Sequence, residues 1–472
     1  MKFTVLSHAG LLVEHQGTRI VCDPWLFGSC YWRSWWNFPE PDPELLADLR
    51  ADYVYLTHLH WDHFHGPSLK KFFRRKTCVL VPKVPTRRML EDLKCLGFRH
   101  VVEVPHAGAI ELGPDFRLRS YQFGLGVDSA AVISGGGVSL FNCNDAKFFG
   151  LPLRQIMRNH PKIDFIFRSH SSARPVPFCV EDYERVIPDV VTESDSAEQF
   201  ARCALHVGAR YAIPFASNHC FLHRETIGFN GTATTPDDVR RHYQQVAAHC
   251  RRSGECVVMP PGSCWSDRDG FQIRPFDFSA RSHYIATLLA RHADKLDASY
   301  RREEQVAADF ESFRKYFEGL LRALPALLRR RLPPIVFCAR DSRATRNWLI
   351  DPQRGLVEEV TAVPRGCAAL ESHAAVLRDC AERRMFSVWS ASKRLRIRLP
   401  DRSALAGVNR WFTVLDLYEL ETFPLRLNFS ARALGVRVRR WREPIEVLRL
   451  VGRRLLLMKP LSVAGLYPVK AV

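Results

Sequence analysis

His58, His60, Asp62 and His63 lie within the nine residues THLHWDHFH, Thr57 to His65, in the spacing H-x-H-x-D-H. Alternate side chains of an extended segment project to the same side, so His58 and His60 can grip one ion together. Asp62 and His63, past the bend, can reach a second ion a few ångströms away. Trp61, Phe64 and His65 fit packing or outer-shell roles. A pair of ions also needs a bridging carboxylate, and Asp145, closing the apolar run VSLFNCND, is the best placed. Asp62 and Asp145 are thus the candidate catalytic carboxylates. The segment PFASNHCFLH offers His219 and His223, of which one is expected to complete the second ion's shell.

These side chains need rigid strand ends to hold them. KFTVLSH, LLVEH and RIVCDP read as opening strands, and PDPELLADLR as a helix leading into the strand DYVYLTH, so the histidines sit on the loop that leaves a buried strand. GPSLKKFFRR and TRRMLEDLKCLGF read as helices, each followed by a strand, TCVLVP and HVVEVP. FRLRSYQF, SAAVIS and VSLFNCN continue the β pattern, with Gly135-Gly136-Gly137 as a tight hairpin. A helix from about Leu153 to Arg158 precedes the strand KIDFIFRSH, and SAEQFARCALHVG is a helix before RYAIPF. The expected fold class is α/β (α+β), with a catalytic domain over 1–265, a helical connector over 266–331 and a smaller α+β domain over 332–472.

HLHWDH, Asp23 at the end of an early strand, Asp145 and the late histidine together resemble the metallo-β-lactamase superfamily. The resemblance implies an αββα sandwich with a two-metal site at one edge of its β-layers. In that superfamily another histidine usually stands somewhat under twenty residues before the bridging aspartate. Here Asp128 occupies the place, 145 − 128 = 17 residues ahead of Asp145. A carboxylate in place of imidazole favours iron or manganese over zinc.

DPWLFGSCYWRSWW, ADYVYLTHLHWDHFHGPSLKKF and YAIPFASNHCFLH further resemble the metallo-β-lactamase-like part of the CMP-N-acetylneuraminate hydroxylases. Those proteins also have Asp before the hairpin, and their late histidine favours His223 over His219. The chloramphenicol-pathway β-hydroxylase is a more distant relative with a di-iron pair. The resemblance therefore implies a di-iron oxygenase in which Asp145 is shared. His58, His60 and Asp128 would hold one iron, and Asp62, His63 and His223 the other. A zinc-dependent hydrolase of an ester, amide or phosphoester is the alternative, and a metal-retaining scaffold a third. Sialate hydroxylases carry a Rieske centre built on Cys-x-His and Cys-x-x-His pairs. This sequence contains no Cys-x-His, so electrons are expected from an external donor.

For a small, sugar-like or anionic substrate, Arg168 and His170 in FRSHSSARP are candidate contacts, with Arg174 beside them, and Trp36 is a candidate wall. Trp36 belongs to the aromatic run Trp25, Phe27, Tyr31, Trp32, Trp35 and Trp36, which fits loop core as well as a pocket lining.

The chain has 472 residues, 46% of them hydrophobic, which exceeds what one core usually organises and excludes a disordered or fibrous class. Its fourteen cysteines lack regular spacing, which points to reduced, buried thiols. His8, Glu14 and His15 interrupt the first apolar run, so neither a signal peptide nor a spanning helix is expected there, and the expected location is cytoplasmic. The net charge of +18 concentrates late, in LLRRRLPP, KRLRIRL, RVRRWREP and LVGRRLLLMKP, interleaved with Leu and Val. That pattern disfavours nucleic acid and suits a solvated basic face, an acidic partner or an anionic membrane surface. The order of elements beyond 332 is faintly similar to sterol-carrier-like domains.

Overall fold

A computed structural model describes residues 1–124, 128–187, 193–251, 253–457 and 462–469, without the side chains of 193–195 and 453–457. Two sheets face each other. The first runs in the order 270–272, 264–266, 2–5, 11–15, 18–22, 53–55, 78–82, 101–104. The second runs 255–256, 211–214, 165–168, 138–144, 128–135, 116–123, 109–113. Strand pairing in the first sheet thus continues past residue 265 to Gln272.

Period-two alternation builds the layers. Ile20, Cys22 and Tyr55 point between the sheets, where Phe165, Phe167, Leu140 and Ile133 meet them. Their neighbours Val21 and Val54 face outward under helices Gly66–Phe72 and Arg88–Cys95. Ile166, Phe141 and Ala212 face outward on the second sheet, under helices Gly150–Asn159, Glu193–Val207 and Pro236–His249. The result is a four-layer αββα sandwich. Gly136 and Gly137 turn the 128–135/138–144 hairpin at φ 57° and 74°, a left-handed geometry that favours glycine.

Residues 18–22, 53–55, 78–82 and 101–104 pair in parallel, as do 138–144, 165–168, 211–214 and 255–256. Their carboxyl ends define one edge of the sandwich, the usual place for a site in such sheets.

After a 24-residue helix, Arg281–Glu304, a five-stranded sheet follows in the order 356–360, 345–351, 335–340, 368–373, 396–398. Helices Phe310–Ala323, Ala374–Arg383, Phe386–Ser392 and Ala404–Glu419 cover it. Its core around Phe317, Phe337, Trp389 and Trp411 also takes in Cys179, Val180 and Ile187 from the sandwich region. All fourteen cysteines are free, and ten are buried. Among the described residues no helix is long and apolar enough to cross a membrane.

Candidate metal centre

Each strand that reaches this edge delivers a chemically active residue as it ends. Asp23 follows 18–22, the Thr57–His63 loop follows 53–55, Asp145 follows 138–144, His170 follows 165–168, and His219 lies beyond 211–214. His8 follows 2–5, which runs in the same direction as 18–22 because two antiparallel pairings separate them. Asp23, Asn144 and Ala216 adopt φ of 43°, 47° and 48° at these exits. Non-glycine residues rarely adopt such backbone, and where they do it commonly serves a site.

Two donor groups close on one another at this edge. His58, His60 and Asp145 form one, and His8, Asp62 and His63 the other. His58 Nε2 lies 2.8 Å from His60 Nδ1 and 4.0 Å from Asp145 Oδ2. His63 Nε2 lies 3.4 Å from both Asp62 Oδ2 and Asp145 Oδ2, so Asp145 stands between the groups. His8 Nε2 is 3.1 Å from Asp62 Oδ2. His63 Nε2 and both ring nitrogens of His8 are buried without a hydrogen-bond partner. Buried donors and acceptors are rarely left in that state, and a cation held between imidazoles and carboxylates would satisfy them. The donor set therefore fits a metal pair.

Asp23 orients the site from beneath. Its fully buried carboxylate accepts from His63 Nδ1 at 2.9 Å, Thr57 N at 2.8 Å, Thr57 Oγ1 at 2.7 Å and Asn144 Nδ2 at 2.6 Å. Holding the proton on Nδ1 leaves Nε2 of His63 free to ligate. Tyr31 donates its hydroxyl to Asp62 Oδ1. Burial opposes charge on His63, but the Asp62 and Asp23 carboxylates hold it well above its ordinary pKa. Burial, reinforced by His63 and His60, pushes His58 down to about 4. Burial works against ionising Asp62 and Asp145, yet His63 keeps both below the usual carboxylate range.

The other residues singled out in the sequence are distributed unequally. Asp128, half-buried at the start of its strand, lies within electrostatic reach of His58. His219 is stacked on Trp35 at 3.6 Å between ring centroids and lies 5.6 Å from the His8 ring. His223 goes elsewhere: its Nε2 is 3.6 Å from Glu303 and its ring packs on Tyr300, outside both donor groups.

Two of the expected substrate contacts, Arg168 and Trp36, are held elsewhere by packing. Arg168 is buried toward the helix layer, where it donates to Tyr467 Oη at 3.1 Å. Its strand position explains this, because Phe165 and Phe167 take the inward face and Arg168 the outward one. Trp36 stacks on His292 and donates to Arg33 O. Arg174 is exposed, whereas His170 is buried with unpartnered ring nitrogens. His65 caps helix Gly66–Phe72.

The family model for the beta-lactamase superfamily domain matches residues 2–160. The chain carries a metallo-β-lactamase superfamily domain. It is 30% identical over 279 residues to a candidate Rieske 2Fe-2S iron-sulfur protein of Mycobacterium tuberculosis, covering 56% of this chain and 53% of that one. The chain thus spans about half the length of that curated relative. Over 77 residues, 16% of this chain and 13% of the other, it is 40% identical to the cytidine monophosphate-N-acetylneuraminic acid hydroxylase of Pan troglodytes. Among solved structures, the metallo hydrolase Igni18 of Ignicoccus hospitalis aligns with 56% of this chain and 96% of its own, at 15% identity and TM-score 0.38.

Three features around the centre were not anticipated from the sequence. His8 stands in the turn SHAG, and its signal was available: it follows a strand end, like every other member of the site. Lys147, whose Nζ donates to Ser169 Oγ at 2.6 Å, lies in the electrostatic field of Asp145 and Arg168, and burial with Arg168 pushes its pKa down to about 8. Asp416, on helix Ala404–Glu419, is pushed up to about 7 by burial, Glu419 and Asp128, so the C-terminal region reaches the rim of the centre.

Proposed function

We propose that this centre is a dinuclear iron site serving an oxygenase that hydroxylates a small organic substrate with electrons from an external donor. The observation that carries the reading is Asp128 within electrostatic reach of His58, where a zinc hydrolase of this fold class is expected to offer imidazole. The names of the two curated relatives, an iron-sulfur protein and a hydroxylase, support the same direction.

In this reading His58, His60 and Asp128 hold one ion, and His8, Asp62 and His63 the other, with Asp145 shared. His219 rather than His223 is the neighbour available to the second ion, because its ring lies 5.6 Å from that of His8, whereas His223 lies outside both donor groups. Iron so bound supplies reductive activation of dioxygen. The protein supplies the surroundings: Asp23 fixes the tautomer of His63, Tyr31 donates to Asp62, and Trp61, stacked on Tyr31 at 5.7 Å, shields that bond from water. Lys147, rather than Arg168, which is turned outward to Tyr467, is the cation placed to meet an anionic substrate group.

Protein produced in iron-replete medium should retain about two irons per chain and consume dioxygen only when a reductant is supplied. Retention of zinc alone, with turnover of model esters, would overturn the reading in favour of the hydrolase.

A further inference from the structure

The last two substantial helices are built inside out. Helix Arg442–Leu457 turns its acids toward the sandwich: Glu446, 7% exposed, accepts from Leu151 N at 3.0 Å at the start of helix Gly150–Asn159, and Glu443 accepts from Gly124 N at 2.9 Å. The preceding helix, Ala431–Arg439, is pinned by Arg432, which donates to Val84 O at 2.8 Å and pairs with Glu103.

What faces outward is apolar. Leu434 and Val438 on the first helix, Trp441 in the turn between the two, and Ile445 and Leu448 on the second helix are all exposed. Val438 and Leu448 are each 70% exposed, and Phe429, just upstream, is 73% exposed. Scattered exposed apolar residues are ordinary, but a concentration of them marks an interaction surface.

Charge identifies the occupant. Residues 424–457 contain nine arginines and two glutamates, and both glutamates are the inward-turned pair. The outward face therefore offers arginines and hydrocarbon with no acid among its described side chains. Two such faces would repel each other, whereas an anionic bilayer presents apolar depth and negative charge together. We propose that residues 424–451 form an interfacial membrane-docking element that seats the protein on anionic phospholipid. The element adjoins Gly124, just past Phe123, which pairs with Asp128, and so lies on the same side of the sandwich as the metal centre.

The test is co-sedimentation of the full chain with vesicles of phosphatidylcholine alone or mixed with phosphatidylglycerol. Binding should require phosphatidylglycerol and weaken with salt. Arg437→Glu with Arg439→Glu should lower it on the order of tenfold or more. Val438→Asp with Leu448→Asp should do the same by removing hydrocarbon from the interface. Trp441→Phe gives a readout independent of these variants: brominated lipid should quench the tryptophan emission of the native chain and lose part of that quenching in the variant. No association with phosphatidylglycerol vesicles at low salt would overturn the proposal, as would unaltered binding and quenching in the variants. So would a concentration-dependent dimer that Val438→Asp with Leu448→Asp abolishes.

Discussion

Two buried polar clusters lie close together in this molecule and are satisfied in opposite ways. At the sandwich edge, His8, Asp62, His63, His58, His60 and Asp145 face one another with several ring nitrogens unpartnered. On the C-terminal side, the fully buried Arg394 donates bidentately to Glu303 at 2.8 Å, to Glu225 at 2.9 Å and to Trp32 O at 3.2 Å. Arg340 also pairs with Glu225. One cluster pairs its carboxylates with arginine from the protein itself, while the other leaves ring nitrogens that a cation would satisfy. Both meet the same loop: Tyr31 donates to Asp62, while Trp32 is held by Arg394 and by Asp379 at 2.9 Å, and Ser34 donates to Ser392 O at 2.7 Å. The C-terminal region thus buttresses the loop that supports a proposed ligand.

The comparison breaks most visibly if its first half is wrong. Asp145→Asn removes the carboxylate that stands between the two donor groups, and the expected outcome is loss of bound metal and of metal-dependent turnover, with the fold retained. Metal analysis beside a circular dichroism spectrum checks it. Unchanged metal content would show that the cluster is a polar core and that Asp145 holds no ion.

The second half predicts a different failure. Arg394→Met leaves Glu225 and Glu303 buried without their shared cation, at a cost of about 3–5 kcal/mol in unfolding free energy. Denaturant unfolding measures this. Replacing Glu303 by Gln in the same chain should recover part of the loss, since the uncompensated charge is the source of the penalty. An Arg394→Met protein as stable as the parent would remove the buttress from the account.

A smaller effect separates orientation from ligation within the metal centre. Asp23→Asn keeps the shape but weakens acceptance of the His63 Nδ1 proton, and metal affinity should fall roughly 10–100-fold. Chelator competition measures the change. His219→Ala against His223→Ala sharpens the same point: the first should weaken metal retention, whereas the second should act on stability through Glu303.

The legible part of the site was its local part. His58 to His63 lie within six residues on one strand exit, so spacing alone places them together, while the αββα layers were implied by the family resemblance and are built by alternation in RIVCD, YVYL and FIFR. His8 also follows a strand end, but its neighbourhood to Asp62 was not legible, because the two meet only through the direction of a strand whose pairing spans the sheet. His219 and His223 are separated by a single short strand, and their different surroundings, Trp35 and His8 for the first and Tyr300 and Glu303 for the second, come from distant parts of the chain. The placement of Arg168 and Trp36 was not legible for a related reason. Residue type suggested anion binding or stacking, but strand parity turned the arginine toward Tyr467, and tertiary packing set the indole against His292.

The smallest predicted effect is on acid stability, and it belongs to the paired cluster alone. Glu225 and Glu303 are both held down to about 2: burial opposes their ionisation, but Arg394 and His223 outweigh it. A depressed carboxylate contributes stability above its unfolded pKa of roughly 4.5 and loses it as pH falls toward the folded value. The native chain should therefore lose roughly 1 kcal/mol for each carboxylate between neutral pH and about pH 3.5. Unfolding midpoints measured across that range should slope more steeply in the native chain than in the Arg394→Met, Glu303→Gln double variant. Equal slopes would mean that the acid sensitivity arises elsewhere, and that the pairing around Arg394 contributes position to the Trp32 loop without contributing pH dependence.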